Sequence, residues 1–128
     1  TMNLEQLEYL HSKKTGALFL ASVRGGALLG GATPAQLESL TTYGRALGLC
    51  FQVVDDLLDV EASTEQMGKR TQKDHAAGKN TYPGIIGIEE SRKLARDLER
   101  RAIGAIASLS NRAEPLRAIA SFVVERRQ

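Results

Sequence analysis

The sequence holds a single cysteine, Cys50, which excludes an internal disulfide framework and suits a reducing cytoplasm. Its expected role is that of a small buried hydrophobe. There is little excess charge: Lys and Arg number 17 against 15 Asp and Glu, and a net charge of +2 makes no field that would recruit nucleic acid by itself. A long hydrophobic run is also lacking. The most apolar stretch, residues 16–32, is interrupted by Arg24 and diluted by glycines, which leaves it too short and too polar to span a bilayer. No signal peptide is visible, and there is no strand pattern, repeat or low-complexity tract. Thr1 ahead of Met2 is unusual for a native start, so a trimmed chain is expected. At 128 residues and 42% hydrophobic, the chain can bury one ordinary core, hence one domain or part of one.

What is present is helical periodicity. Asn3 can cap a helix running from Leu4 to Gly30, with Leu4, Leu7, Leu10, Thr15, Leu18 and Ser22 spaced along one face. Thr33, Pro34 and Gln36 form the sharpest helix start, an N-cap, a first-turn proline and the partner of a capping box. From there Leu37, Leu40, Gly44, Leu47, Phe51, Val54 and Leu58 alternate steps of three and four, the sign of a long helix with one packed face. Gly44 and Gly48, one turn apart, allow a neighbour to approach closely. Residues 60–83 lose the period and are expected to be loop. A third helix is expected over about 84–109, with Ile88, Leu94, Ala95, Leu98, Ala102 and Ile106 inward, and a shorter one after Pro115 through Ile119, Ala120 and Val123.

The stretch FQVVDDLLD, residues 51–59, places three carboxylates inside the apolar helix. Asp55 and Asp59 share a face, Asp56 stands about 100° around from Asp55, and like charges at i and i+4 repel. With the helix ending near Val60, the macrodipole would disfavour them further. A solvated acidic helix end accounts for them as well as a cation site does. A divalent cation would reverse both unfavourable terms, and hard carboxylates with vacant positions suit Mg²⁺, which keeps waters and shares phosphate ligands. The Ca²⁺-loop pattern fails for want of a glycine at the turn position after Asp55. The loop MGKRTQKDHAAGKNTYP then brings Lys69, Arg70, Lys73 and Lys79 close behind, either as a solvated basic loop or as partners of a diphosphate. It is not a P-loop, because Ser63 and Arg70 stand where Gly and Ser or Thr are required. An acidic ridge, a basic loop and an apolar wall suit a substrate with a diphosphate head and a hydrocarbon tail.

These residues resemble the trans-prenyl diphosphate synthases, the family of farnesyl and geranylgeranyl diphosphate synthases. FQVVDDLLD looks like their second aspartate-rich motif, LHSKKTGALF like their Lys-Thr segment, and GKRTQKDHAAGKNTYPGIIG like the lysine-bearing loop that follows, in the family's order. The resemblance implies an all-α isoprenoid-synthase-type helical bundle of which residues 1–128 are the C-terminal half. It implies Mg²⁺-dependent condensation of isopentenyl diphosphate with an allylic diphosphate to a short-chain product. Asp55 would coordinate Mg²⁺, with Asp56 and Asp59 completing the acidic site. Lys14, Lys69 and Lys79 would hold the allylic diphosphate, and Thr15 and Gln52 would flank the reacting carbon. Read without the family, Lys14 is a snorkelling side chain, Thr15 a satisfied core hydroxyl and Gln52 a surface amide. His11 and His75 are expected to be solvent-exposed, with no role.

One departure from the family matters. Its first aspartate-rich motif, DDxxD followed by arginines, has no counterpart in the chain, so the chain alone should be a poor enzyme, and its apolar faces should drive self-association or recruit the missing N-terminal half. Two rivals remain. A class I terpene cyclase would need Glu at the third position of its metal motif, where Asp59 and Ser63 are followed by Met67. A non-catalytic helical subunit that modulates a partner synthase has no physical need for three crowded carboxylates.

Overall fold

The computed structural model describes residues 1–65 and 80–126. Among them every element is helical: α1 (Leu4–Lys13), α2 (Thr15–Leu29), α3 (Pro34–Glu65), α4 (Tyr82–Ile86), α5 (Ile88–Ala105), a 3-10 turn at Asn111–Ala113, and α6 (Glu114–Glu125). The all-α expectation holds.

Helix α3 is the axis of the molecule. Its 32 residues span about 48 Å at the usual helical rise, and α2 and α5 are its main packing partners. Its start is the expected one, since the Thr33 hydroxyl accepts from the Gln36 amide at 3.1 Å and the Gln36 side chain accepts from the Thr33 amide at 2.9 Å. Tyr43, Ala46, Leu47, Cys50, Val53, Val54 and Leu57 are buried along it, against Ala95, Leu98 and Ala102 of α5 and Ala120 and Val123 of α6. Cys50 is the buried hydrophobe expected of it: its Sγ lies 3.4 Å from the Ala95 carbonyl, and burial pushes its thiol up to about 12.

Three boundaries differ from the sequence expectation. The first helix is two, broken at Lys14, whose φ of −105° and ψ of −99° are not helical. The two pieces pack different faces on the core, Leu7 from α1 and Phe19 with Val23 from α2. Leu18 and Ser22, expected inward, are exposed. Helix α3 does not stop near Val60 but continues to Glu65, tied to α5 by an ion pair between Glu61 and Arg92 at 3.2 Å. The third helix is also interrupted. Thr81 caps α4 by accepting from the Gly84 amide at 3.1 Å, and Gly87, at φ 88° and ψ 163°, turns the chain into α5, a conformation that side chains rarely adopt. Ile88 and Ile119, also expected inward, are exposed because Ala95, Leu98, Ala120 and Val123 already fill the contact faces.

Helix α2 buries no residue fully, although it is the most apolar helix; Leu18, Leu28 and Leu29 all face outward. On its inner face it meets α3 closely. A Cβ on Gly48 would lie 3.1 Å from the Gly16 Cα and 3.4 Å from the Phe19 Cβ, so the two backbones touch there because neither glycine has a side chain.

Candidate functional site

The α3 carboxylates lie on two rows. Gly48, Gln52 and Asp56 follow one another at i, i+4 and i+8, as do Phe51, Asp55 and Asp59 on the adjoining row about 100° away. Each row faces a different part of the molecule. All three acids sit well inside α3, because the helix runs on to Glu65. The unfavourable field of a helix C-terminus, which falls off within the last turn, therefore does not act on them.

The Asp56 row faces the α1–α2 break. Asp56 is buried, at 6% exposure. Its Oδ2 accepts the backbone N–H of Tyr82 at 3.1 Å and its Oδ1 accepts Nε2 of Gln52 at 3.1 Å. Burial raises its pKa, while the Tyr82 and Gln52 hydrogen bonds and nearby His11 pull it back. His11 is not solvent-exposed as expected. Its ring packs on Tyr82 with centroids 5.4 Å apart, Nδ1 lies 3.4 Å from the tyrosine hydroxyl, and burial lowers its pKa against the opposing pull of Asp56. Tyr82 is fully buried, and burial pushes its hydroxyl pKa up strongly. Asp56 therefore anchors the start of α4, as a buried carboxylate accepting a backbone amide.

The Asp55 row faces α6. Asp55 Oδ1 accepts Nη2 of Arg126 at 2.7 Å, and the same Nη2 donates to the Phe51 carbonyl at 3.1 Å. The guanidinium lies 4.2 Å above the Phe51 ring, within cation–π range, and Phe51 in turn packs on Phe19 at 5.2 Å. Asp59 is exposed one turn further on. Beside this row a cavity of about 720 Å³ opens between α3, α5 and α6, floored by Val54, Leu57, Leu58 and Val124 and rimmed by Arg96 and Arg126.

The expected site residues thus separate. Gln52 and Asp56 are joined, and the Gly16–Gly48 contact sets the α1–α2 break, with exposed Lys14 and half-buried Thr15, over the same row. Lys69 and Lys79, like His75, lie outside the described residues. Among the described residues no three carboxylate, imidazole or thiolate groups converge as a cation site. The expectation placed Mg²⁺ on Asp55, with Asp56 and Asp59 completing the acidic site; in the fold these acids lie on two rows. Asp55, half-buried and paired with Arg126, and exposed Asp59 share one row, and would suit Mg²⁺ held by one or two carboxylates with waters and phosphate completing its shell. Asp56 lies on the adjoining row, each of its oxygens accepting a hydrogen bond from within the fold. Sequence reasoning missed Arg126, Tyr82 and His11. An arginine pair after the apolar end of α6 and a tyrosine inside NTYPG were the only local signals.

Comparison with known proteins identifies the family and the fold. The family profile described as polyprenyl synthetase matches residues 1–117. The chloroplastic geranylfarnesyl diphosphate synthase of Leucosceptrum canum is 48% identical over 126 residues, 98% of this chain and 35% of that protein. Geranylgeranyl pyrophosphate synthase 11, chloroplastic, of Arabidopsis thaliana is 47% identical over 123 residues, 95% of this chain and 34% of that protein. Among solved structures, the apo FPP/GFPP synthase of Zymomonas mobilis matches with a TM-score of 0.78 and 32% identity, over 96% of this chain and 38% of that one. The chain spans about a third of the length of the curated relatives it matches. Its fold is the all-α fold of isoprenyl diphosphate synthases, and the chain belongs to the polyprenyl synthetase family.

Proposed function

We propose that residues 1–128 are the C-terminal part of a short-chain prenyl diphosphate synthase, which condenses isopentenyl diphosphate with an allylic diphosphate. The observation that carries the reading is the Asp55–Asp59 row on α3, in a chain of this family whose adjoining Gln52–Asp56 row faces the helix break bearing Lys14 and Thr15. Losing diphosphate from an allylic carbon requires stabilisation of charge on the leaving group and of the cation left behind. Mg²⁺, when bound, supplies the first, and Asp55 with Asp59 would hold it. Lys14 would bind diphosphate oxygens from the exposed corner between α1 and α2, and the same role is proposed for Lys69 and Lys79. Gln52 gives its amide N–H to Asp56, which leaves its carbonyl oxygen for the reacting carbon beside the Thr15 hydroxyl.

On this reading the outward apolar residues of α2, Leu18, Leu28 and Leu29, are covered by the rest of a longer protein or by a second copy of the chain. The chain alone binds diphosphate partially and does not turn over. The described residues include no helix long and apolar enough to cross a membrane. We place the protein in a reducing aqueous compartment, the cytoplasm on the cysteine argument, although two relatives are named as chloroplastic. The test is thermal unfolding with Mg²⁺ and pyrophosphate, which should raise the midpoint through binding to the folded state. Asp55→Ala should remove the rise. Equal shifts in both chains would contradict the assignment.

A further inference from the structure

We infer that Arg126 is a tethered counter-ion for Asp55, which a divalent cation must displace, so that the end of α6 is released as the carboxylate row fills. The inference rests on the proposed reading of Asp55 as a cation-binding carboxylate.

Arg126 is built into its place rather than lying on the surface. Its side chain is only 18% exposed, and the guanidinium is held through Nε, Nη2 and its face. Nε donates to Val123 O at 3.2 Å, a carbonyl left over at the end of α6, while Nη2 reaches across to Phe51 O and Asp55 Oδ1 and the plane covers the Phe51 ring. One side chain thus joins the last turn of α6 to the carboxylate row 71 residues earlier. Asp55 stands one turn from Asp59, and two acids at that spacing repel. The guanidinium offsets that repulsion when no metal is present.

A divalent cation on Asp55 would meet a fixed positive charge 2.7 Å from the same carboxylate. In a half-buried setting two like charges that close oppose each other strongly. Cation and guanidinium therefore compete for Asp55. Arg126 is the first residue after α6, where the backbone turns extended at φ −61° and ψ 148°, and its own N–H caps the helix by donating to Phe122 O at 2.8 Å. Loss of the side-chain anchor leaves Arg126 held by its backbone N–H alone, at the end of a turn whose Val123 stays in the core.

The test uses the 128-residue chain with Mn²⁺ alone, its binding followed by electron paramagnetic resonance, and hydrogen exchange at residues 122–126. Arg126→Gln keeps the stem and a donor but not the charge. It should bind Mn²⁺ about tenfold more tightly than the parent, and Arg126→Lys should fall between. Mn²⁺ should speed exchange at the end of α6 in the parent and leave it unchanged in Arg126→Gln, where exchange is already fast. Equal or weaker binding by Arg126→Gln would overturn the competition. A double-mutant cycle of Asp55→Asn with Arg126→Gln in metal-free unfolding separates the two layers. No coupling overturns the ion pair as an anchor, whereas coupling with no Mn²⁺ binding by either chain overturns the cation reading of Asp55 and the exchange with it.

Discussion

Replacing Asp56 tests whether this acid serves the fold or the metal. Asp56→Ala removes the acceptor of the buried Tyr82 N–H and leaves that donor with no partner at the start of α4. An unsatisfied buried donor costs about 1–3 kcal/mol. The Gln52 amide, only half-buried, can turn to solvent, so its lost bond adds little. A total near 2 kcal/mol corresponds to a fall of about 6–10 °C in Tm for a chain of this size. Asp56→Asn should stay within about 1 kcal/mol of the parent, because the amide oxygen still accepts from Tyr82 and a desolvated charge disappears. The pH dependence carries the sign. Burial raises the Asp56 pKa above its unfolded value near 3.8, so the folded chain holds that proton more tightly than the unfolded chain. The stability it contributes is greatest below 3.8 and is lost as pH rises through the raised folded value. His11, lowered by burial, runs the other way, contributing stability present above 6.5 and lost as pH falls. Urea unfolding of the three chains at several pH values, repeated in a His11→Gln background, resolves this, since Asp56 also raises the His11 pKa and the two titrations are linked. The reasoning fails if Ala is as mild as Asn, or if the difference between the parent and Asn is flat with pH.

Two further substitutions probe the backbone geometry that sets the site. Gly48→Ala should destabilise by about 1–3 kcal/mol in thermal unfolding, because its Cβ would press on the Gly16 backbone at 3.1 Å and separate α2 from α3 below the Lys14 corner; a stabilisation of about 1 kcal/mol, the helix-propensity gain alone, would mean that the helices do not touch there. Gly87→Ala should cost about 1–3 kcal/mol through its backbone conformation, with nothing in the surroundings to clash, and an unchanged midpoint would contradict the sharp turn between α4 and α5.

The parts of the fold that rest on local chemistry were legible in the sequence. Thr33, Pro34 and Gln36 start α3 with contacts confined to one turn, and the period-3.6 pattern from Leu37 to Leu58 found its long packed helix. The break at Lys14 was hidden, because the residues from Leu4 to Gly30 satisfy one helical period and only docking on α3 decides which face each half buries. Beyond Val60, α3 sets Glu61 opposite Arg92, 31 residues on, a pairing that no local pattern contains. The acidic motif shows the same division. Three aspartates in FQVVDDLLD read as one cluster along the chain, yet 100° of rotation hands Asp56 to Tyr82 and Asp55 to Arg126. Which partner waits on each side is a property of the packed bundle.

The central claim is that Asp55 belongs to the reaction centre of a larger prenyl diphosphate synthase of which these residues form one part. It is tested most directly by a radiolabelled condensation assay with isopentenyl and allylic diphosphates, run on the 128-residue chain, on a longer protein that contains it, and on that protein carrying Asp55→Ala. The account predicts no turnover by the short chain, turnover by the longer protein, and a loss of about a hundredfold or more on Asp55→Ala. Turnover by the short chain as a monomer, or a longer protein indifferent to the loss of Asp55, would contradict it.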